Sequence, residues 1–238
     1  MNLLLLESHD LISTDVAVIR DHRLHHVRDV QRARTGDTLK AGLLNGRMGR
    51  AEILTLDQKQ ATLRLVLNEP APDPLPLTLI LALPRPKMLR RCLRMVAELG
   101  IKQLYLVNSF RVEKSYWQSP LLAEDEIHRA LLKGLEQAKD TRLPQVEIRR
   151  RFKPFVEDEL PGLLQDRQGL VAHPYAGSAG NPVLPLAQPA LICIGPEGGF
   201  IPYEVEKLVV AGCLPLRLGE RIYRVETVLP LLAGRLYR

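Results

Sequence analysis

Four prolines fall within the ten residues "NEPAPDPLPL", 68–77, and no regular element can run through them. Proline lacks a backbone N–H and fixes φ, so at this density it ends helices and central strands and leaves a stiff, extended connector. The chain therefore divides into residues 1–70 and 71–238, and the hydropathy rhythm differs on the two sides. Before the prolines lie short β-like pieces at 39–43, 50–56 and 61–67, separated by the turn residues "TGD" (35–37) and "LNGRMG" (44–49). Short strands joined by tight turns predict a small β-barrel. The segment "DHRLHHVRDVQRARTGD" (21–37) reads as one amphipathic basic turn or helix entering it.

After the prolines, strands and helices alternate. "LTLILAL" (77–83) is an unbroken apolar run and predicts a buried strand. Over 87–100, Leu89, Cys92, Leu93, Val96 and Leu99 fall on one helical face and Lys87, Arg90, Arg91 and Arg94 on the other, with Gly100 as the stop. A strand at 101–108 follows. Ser119 and Pro120 have the cap and first-position chemistry to open a long helix reaching about Ala138. "QVEIRRR", "GLVAHP", "ALICIG" and "CLPLRLG" supply further strands, and 201–212 and 227–237 further helices, Pro230 falling in the first turn of the last. This alternation predicts an α/β domain around a largely parallel sheet.

Charge narrows the partner. The net charge is +6, and the excess is local: residues 1–70 hold ten Lys/Arg against nine Asp/Glu, whereas residues 85–114 hold eight against two. Such a patch is a footprint for a polyanion or, with equal weight, a solvated helix face. The three cysteines, Cys92, Cys193 and Cys213, are widely spaced without a Cys-x-x-Cys pair, which argues against a disulfide framework or a metal site and for a reducing cytoplasm. The leucine run at the start is cut off by Glu7 and Asp10, too short for a signal sequence or a membrane span.

The chemistry concentrates in glycine loops that follow strands. "IGPEGG" (194–199) joins an apolar run to a helix, the context of a phosphate cradle. Yet Glu197 would meet a triphosphate directly, and no Gly-Lys-Ser/Thr neutralises it. A ligand with hydroxyls and a positive centre fits better, and S-adenosylmethionine carries both. Twenty residues on, "LGERIYRVETV" (218–228) again ends a strand in glycine, and "AHPYAG" (172–177) is a third turn. Read alone, Thr227 is a helix cap, Glu226 a charge favourable near a helix N-terminus and His173 a packed histidine. Together the three loops predict one crevice at the carboxyl ends of the strands.

"LALPRPKMLRRCLRMVAELGIKQLYLVNSFR", "AHP", "IGPEGGF" and "LGERIYRVET" resemble, in order and spacing, the RsmE family of 16S ribosomal RNA uridine N3-methyltransferases in the SPOUT superfamily. The first 70 residues, notably "HHVRDVQRARTGD", resemble that family's PUA-like RNA-binding barrel. The resemblance implies a trefoil-knotted α/β methyltransferase domain at 71–238, preceded by a small PUA-like β-barrel at 1–70. It also implies S-adenosylmethionine as cofactor, the small ribosomal subunit's 16S rRNA as substrate, and a cytoplasmic homodimer without metal or membrane. The implied cofactor contacts are His173, Pro174, Ile194, Gly195, Pro196, Glu197, Gly198, Gly199, Leu218, Gly219, Ile222, Arg224 and Thr227. Arg224 is placed to stabilise charge developing on the base, Glu226 to accept a proton or, in the favoured reading, to orient Arg224, and Arg111 of "NSFR" to touch RNA or base. Lys87, Arg90, Arg91, Arg94, Arg111 and Lys114 are the candidate RNA contacts. Three departures fall on the substrate side: "EQAKDTR" (136–142) lacks the family's Gly-Arg after Glu-Gln, its Arg-Phe-Phe-like start is missing, and Trp117 stands in the unmatched "VEKSYWQSP". Two readings stay open beside uridine N3 methylation: the same fold modifying another rRNA or tRNA nucleotide, and a catalytically idle assembly factor, which would not need "GPEGG" and "RVET".

Overall fold

In a computed structural model, which describes residues 2–174 and 184–237, the chain forms two compact units. One comprises residues 1–73 and 131–143, the other residues 74–130 and 144–238.

The first unit is a curled half-barrel of β1 (Leu4–Leu6), β2 (Val16–Ile19), β3 (Thr38–Leu43), β4 (Met48–Leu56) and β5 (Ala61–Glu69). The order is β1-β3-β4-β5-β2, antiparallel throughout except where β1 lies beside β3. In β4 and β5 burial alternates, which turns Ala51, Ile53, Ala61, Leu63 and Leu65 into the core. The edge strands β1 and β2 are additions to the three strands expected. Leu3 to Leu6 are all buried, so they carry no alternation to read. The basic segment begins with a helical turn, His22–His25, but its Arg23 turns inward. Its guanidinium donates to both Asp10 oxygens at 2.7 Å and to the Leu5 carbonyl at 2.8 Å. Burial opposes the charge, but Asp21 and Asp10 outweigh it and raise the arginine pKa, so this cation is spent on the fold. Residues 131–143 complete the unit. Asn2 and Leu3 N–H groups donate to the Glu136 carbonyl at 3.2 and 3.1 Å, and the Thr141 hydroxyl to the Gly46 carbonyl at 2.6 Å.

The second unit is an α/β domain. Its strands are β6 (Leu77–Ala82), β7 (Gln103–Val107), β8 (Gln145–Arg149), β9 (Gln168–Ala172), β10 (Ala190–Ile194) and β11 (Leu214–Leu216). They form one sheet in the order β11-β9-β10-β6-β7-β8, every pair parallel. The central β10 and β6 are buried at every residue, as unbroken apolar runs require of strands covered on both faces. Helix α1 (Pro86–Glu98) buries Leu89, Cys92, Leu93 and Val96, and Gly100, at φ +76°, ends it. Helix α2 (Glu124–Ala138) gives residues 124–130 to this unit, and α3 (Pro202–Val210) and α4 (Val225–Tyr237) follow.

Three expectations need correcting. Ser119 caps only a short 3-10 turn, Pro120–Leu122, through the Leu121 N–H. Ala123 then adopts extended backbone (φ −63°, ψ 141°), and α2 starts afresh on Glu124, Asp125 and Glu126, acids that suit a helix N-terminus. Helix α4 begins at Val225, because the Arg224 carbonyl already accepts from the Thr227 and Val228 N–H groups at 2.9 and 3.0 Å. Thr227 is therefore inside the helix rather than its cap, and Pro230 lies past the first turn. Residues 152–163 wind helically between β8 and β9, where no element was expected.

Candidate functional site

Three neighbouring strands end at one level. Ala172, the last residue of β9, pairs with Ile194 at the end of β10 on one side and with Leu216 at the end of β11 on the other. Their loops therefore leave the sheet together, and the His173 N–H donates to the Leu216 carbonyl at 3.1 Å. Between them lies a cleft of about 490 Å³, a size usual for small-molecule sites. Its walls are mainly apolar, from Ile194, Leu216, Leu218, Ile222, Val225 and Val228.

The loop 195–199 folds back on itself. The Gly199 N–H donates to the Pro196 carbonyl at 2.7 Å, and Gly199 takes φ +73°. A Cβ on Gly195 would lie 2.8 Å from the Phe200 nitrogen and 3.1 Å from the Gly199 carbonyl carbon. Only glycine fits there without moving backbone. Gly219, at φ +140°, gives the β11 loop the same freedom.

Most residues expected at the cofactor site meet here. His173, Pro174, Ile194, Gly195 to Gly199, Leu218, Gly219 and Ile222 all line the cleft, and so does Arg111, whose guanidinium donates to the Gly198 carbonyl. Arg224, Glu226 and Thr227 are not among its lining residues. Residues 175–177 of the third turn lie outside the described residues. Ala172, Phe200, Pro202, Leu216, Arg221, Tyr223, Val225 and Val228 also line it and were not foreseen. The apolar ones read as core in the sequence, which does not mark where a core wall becomes a pocket wall. Burial lowers the His173 pKa, partly offset by a bond with Phe200 backbone, so the imidazole is neutral near pH 7.

Similarity to known proteins decides what kind of cleft this is. Residues 71–236 match the RNA methyltransferase domain family. Over 95% of its length the chain is 32% identical to the ribosomal RNA small subunit methyltransferase E of Treponema pallidum, covering 87% of that protein. The chain belongs to the ribosomal RNA small subunit methyltransferase E family. The Synechocystis member is 28% identical, over 86% of this chain and 67% of its own. The fold agrees with solved structures: a Neisseria gonorrhoeae methyltransferase E bound to S-adenosyl methionine (TM-score 0.75, 20% identity) and a Legionella pneumophila methyltransferase with bound SAM (TM-score 0.76, 20% identity). Each comparison covers 98% of this chain and 95% of the other.

For a methyltransferase E, the carboxylate inside the glycine loop has a plain use. Glu197 is exposed to the cleft, and its Oε1 accepts the Arg85 N–H at 3.0 Å. It ties the loop to the exit of β6 and puts a negative charge where a phosphate cradle would repel its ligand. A second carboxylate went unforeseen. Glu204, 3% exposed, accepts from the Ser109 hydroxyl at 3.1 Å, the Phe110 N–H at 2.7 Å and the Ile201 N–H at 3.0 Å. It locks the end of β7, and with it Arg111, against the exit of the glycine loop. Its sequence position suggested only an acid in a helix's first turn.

The basic stripe splits. Lys87, Arg90, Arg91 and Lys114 are exposed, whereas Arg94 is half-buried and its Nε has no hydrogen-bond partner among the described residues. Burial, with the charges of Glu226 and Glu197 behind it, pushes the Cys92 thiol up to about 12, and burial raises Cys193 as well. These two thiols stay protonated and are not nucleophiles.

Proposed function

We propose that this chain transfers a methyl group from S-adenosylmethionine to N3 of a uridine in the small subunit's 16S rRNA, in the cytoplasm. The observation that carries the reading is the cleft at the aligned ends of β9, β10 and β11. Its apolar walls and backbone groups suit an adenosine, and Glu197 suits a sulfonium better than a phosphate. S-adenosylmethionine, when bound, supplies an electrophilic methyl. The chain's own task is alignment, from which much of the rate in such in-line transfers comes. His173, Pro174, Gly195 to Gly199, Leu218, Gly219 and Ile222 hold the cofactor, and Arg111 faces it from the substrate side. Arg224 stabilises charge on the base as N3 loses its proton. The decisive experiment is mass mapping of 16S rRNA after incubation with the protein and labelled cofactor. A methyl on a uridine N3 is the expected result, and a methyl on any other atom overturns the assignment.

The substrate is gripped through Lys87, Arg90, Arg91, Arg94, Arg111 and Lys114, with the half-barrel at 1–70 as a second, PUA-like RNA contact. Phosphate contacts release counterions, so affinity for rRNA should fall steeply with salt. Reversing Arg90 and Arg91 to glutamate should flatten the log–log slope by about 1 to 2 without changing cofactor affinity. An unchanged slope would reduce the stripe to a solvated face.

The active form in this reading is a homodimer that uses α4. Leu229, Leu232 and Leu236 are buried within the chain itself, so they are not open to a partner. The proposed contact is left with the half-buried Val228 and Leu231. Sedimentation equilibrium should report two copies at micromolar concentration, and Leu231→Glu should return one. A wild-type monomer rejects the dimer.

A further inference from the structure

Beside the cofactor cleft, the carboxyl ends of β7 and β8 carry side chains that the reading above does not use. Phe110 is 76% exposed, yet its backbone is fixed, since buried Glu204 holds its N–H at 2.7 Å and the preceding Ser109 hydroxyl at 3.1 Å. Trp117 is held by a bond from its Nε1 to Asn108 Oδ1 at 2.8 Å. The Arg150 guanidinium lies over the indole, 5.1 Å from its centroid, and reaches the Trp117 carbonyl at 3.5 Å. Asn108 and Arg149 join the two strand ends through an N–H···O bond of 3.0 Å. Among the described residues neither Arg150 nor Arg151 forms an ion pair, whereas Arg149 is paired with Glu147 and Glu159. Across 108–118 and 150–151 there are four cations and one carboxylate, Glu113.

One exposed aromatic side chain means little. A phenylalanine on a fixed backbone, a few residues from a tryptophan that an arginine overlies, with exposed cations on the same two strand ends, has the composition of a single-stranded RNA platform. Base faces stack on rings and guanidinium planes, and the cations meet phosphates. Arg111 follows Phe110 directly and lines the cofactor cleft, so a strand whose target base enters the cleft continues onto this surface. We propose that Phe110, Trp117, Arg150 and Arg151 form a ledge that stacks unpaired nucleotides flanking the methylated base. The proposal rests on the methyltransferase reading. It also gives the segment around Trp117, where the chain departs from its family's pattern, a role in substrate choice.

The test uses the full chain, a fluorescein-labelled single-stranded RNA oligonucleotide of mixed sequence and the matching duplex. Phe110→Ala and Arg150→Glu, both at exposed positions, should each weaken single-strand binding about tenfold, the typical worth of one stacked base. Duplex binding should change less, and S-adenosylmethionine isotherms should be those of the wild type. Unchanged single-strand affinity in both variants overturns the ledge. So does loss confined to whole small-subunit particles, which would make the surface a contact for ribosomal protein. Failure of the wild type to bind the cofactor is a different result and removes the methyltransferase reading itself.

Discussion

A Gly195→Ala protein is expected to lose S-adenosylmethionine binding by about a hundredfold or more, a change of ~3 kcal/mol. The added methyl would sit 2.8 Å from the Phe200 nitrogen and 3.1 Å from the Gly199 carbonyl carbon. Both are backbone atoms of the turn that shapes the cleft, and neither can swing aside as a side chain can. Relief must come from opening the turn closed by the Gly199 N–H and the Pro196 carbonyl, which also moves the groups that would hold the cofactor. Gly198→Ala is the control. Its methyl would meet the Arg111 Cδ at 3.0 Å, a side-chain atom that can yield at the cost of the guanidinium's bond to the Gly198 carbonyl, so only a few-fold loss is expected. Gly199→Ala should fall between, since the space is open but φ is +73°, a conformation that costs a residue with a Cβ about 1–2 kcal/mol. Isothermal titration on the three variants, with circular dichroism to establish folding, measures the order. A folded Gly195→Ala protein with wild-type affinity would remove the loop from the cofactor site.

Such detail is legible in a sequence where its physical cause is local. The central strands were legible because β6 and β10 are buried on both faces and so are written as unbroken apolar runs. The glycines of 195–199 were legible because a tight turn restricts its own residues. The four prolines of 68–77 all lie between β5 and β6, where the two rhythms change. What escaped depended on partners distant in sequence. Glu204 becomes a clamp only when β7 brings Ser109 and Phe110 to it, 95 and 94 residues away. Arg23 looked like one more surface cation until Asp10 and the Leu5 carbonyl surrounded it. The segment 136–142, read as a substrate-side departure, contains a Glu136 carbonyl and a Thr141 hydroxyl bound up in the first unit's own hydrogen bonds. The start of α4 was misplaced by two residues because Thr227 has the chemistry of a cap, whereas the Arg224 carbonyl makes the first helical bonds. Capping propensity is a local preference, and the packing of Val225 and Leu229 into the core overrides it.

Arg224→Ala is expected to lower single-turnover methylation of small-subunit rRNA by a factor of about a hundred to a thousand, the usual cost of one preorganised donor to developing charge. Cofactor affinity should stay unchanged, because a contact that strengthens only as N3 is deprotonated and attacks adds nothing to ground-state binding. Geometry favours this separation. Arg224 is exposed, is not among the residues lining the cofactor cleft, and among the described residues forms no ion pair. Glu197, a potential partner that would make it a loop brace, accepts the Arg85 N–H instead. The Arg224 backbone is fixed by two helical bonds at the start of α4, so the side chain extends from a rigid point beside the loop. Arg224→Lys should recover little, since an ammonium lacks the planar fork that can hold two acceptors of a base at once. A brace would behave differently: removing it would weaken S-adenosylmethionine binding and lower the melting temperature together, and turnover at saturating cofactor would stay near the wild-type rate. Measuring the single-turnover rate at saturating cofactor, with a binding isotherm and a melting curve on the same protein, separates the two. A near-normal rate in Arg224→Ala would falsify the catalytic role and leave charge stabilisation at the base to Arg111 or Arg221, the two arginines that line the cleft.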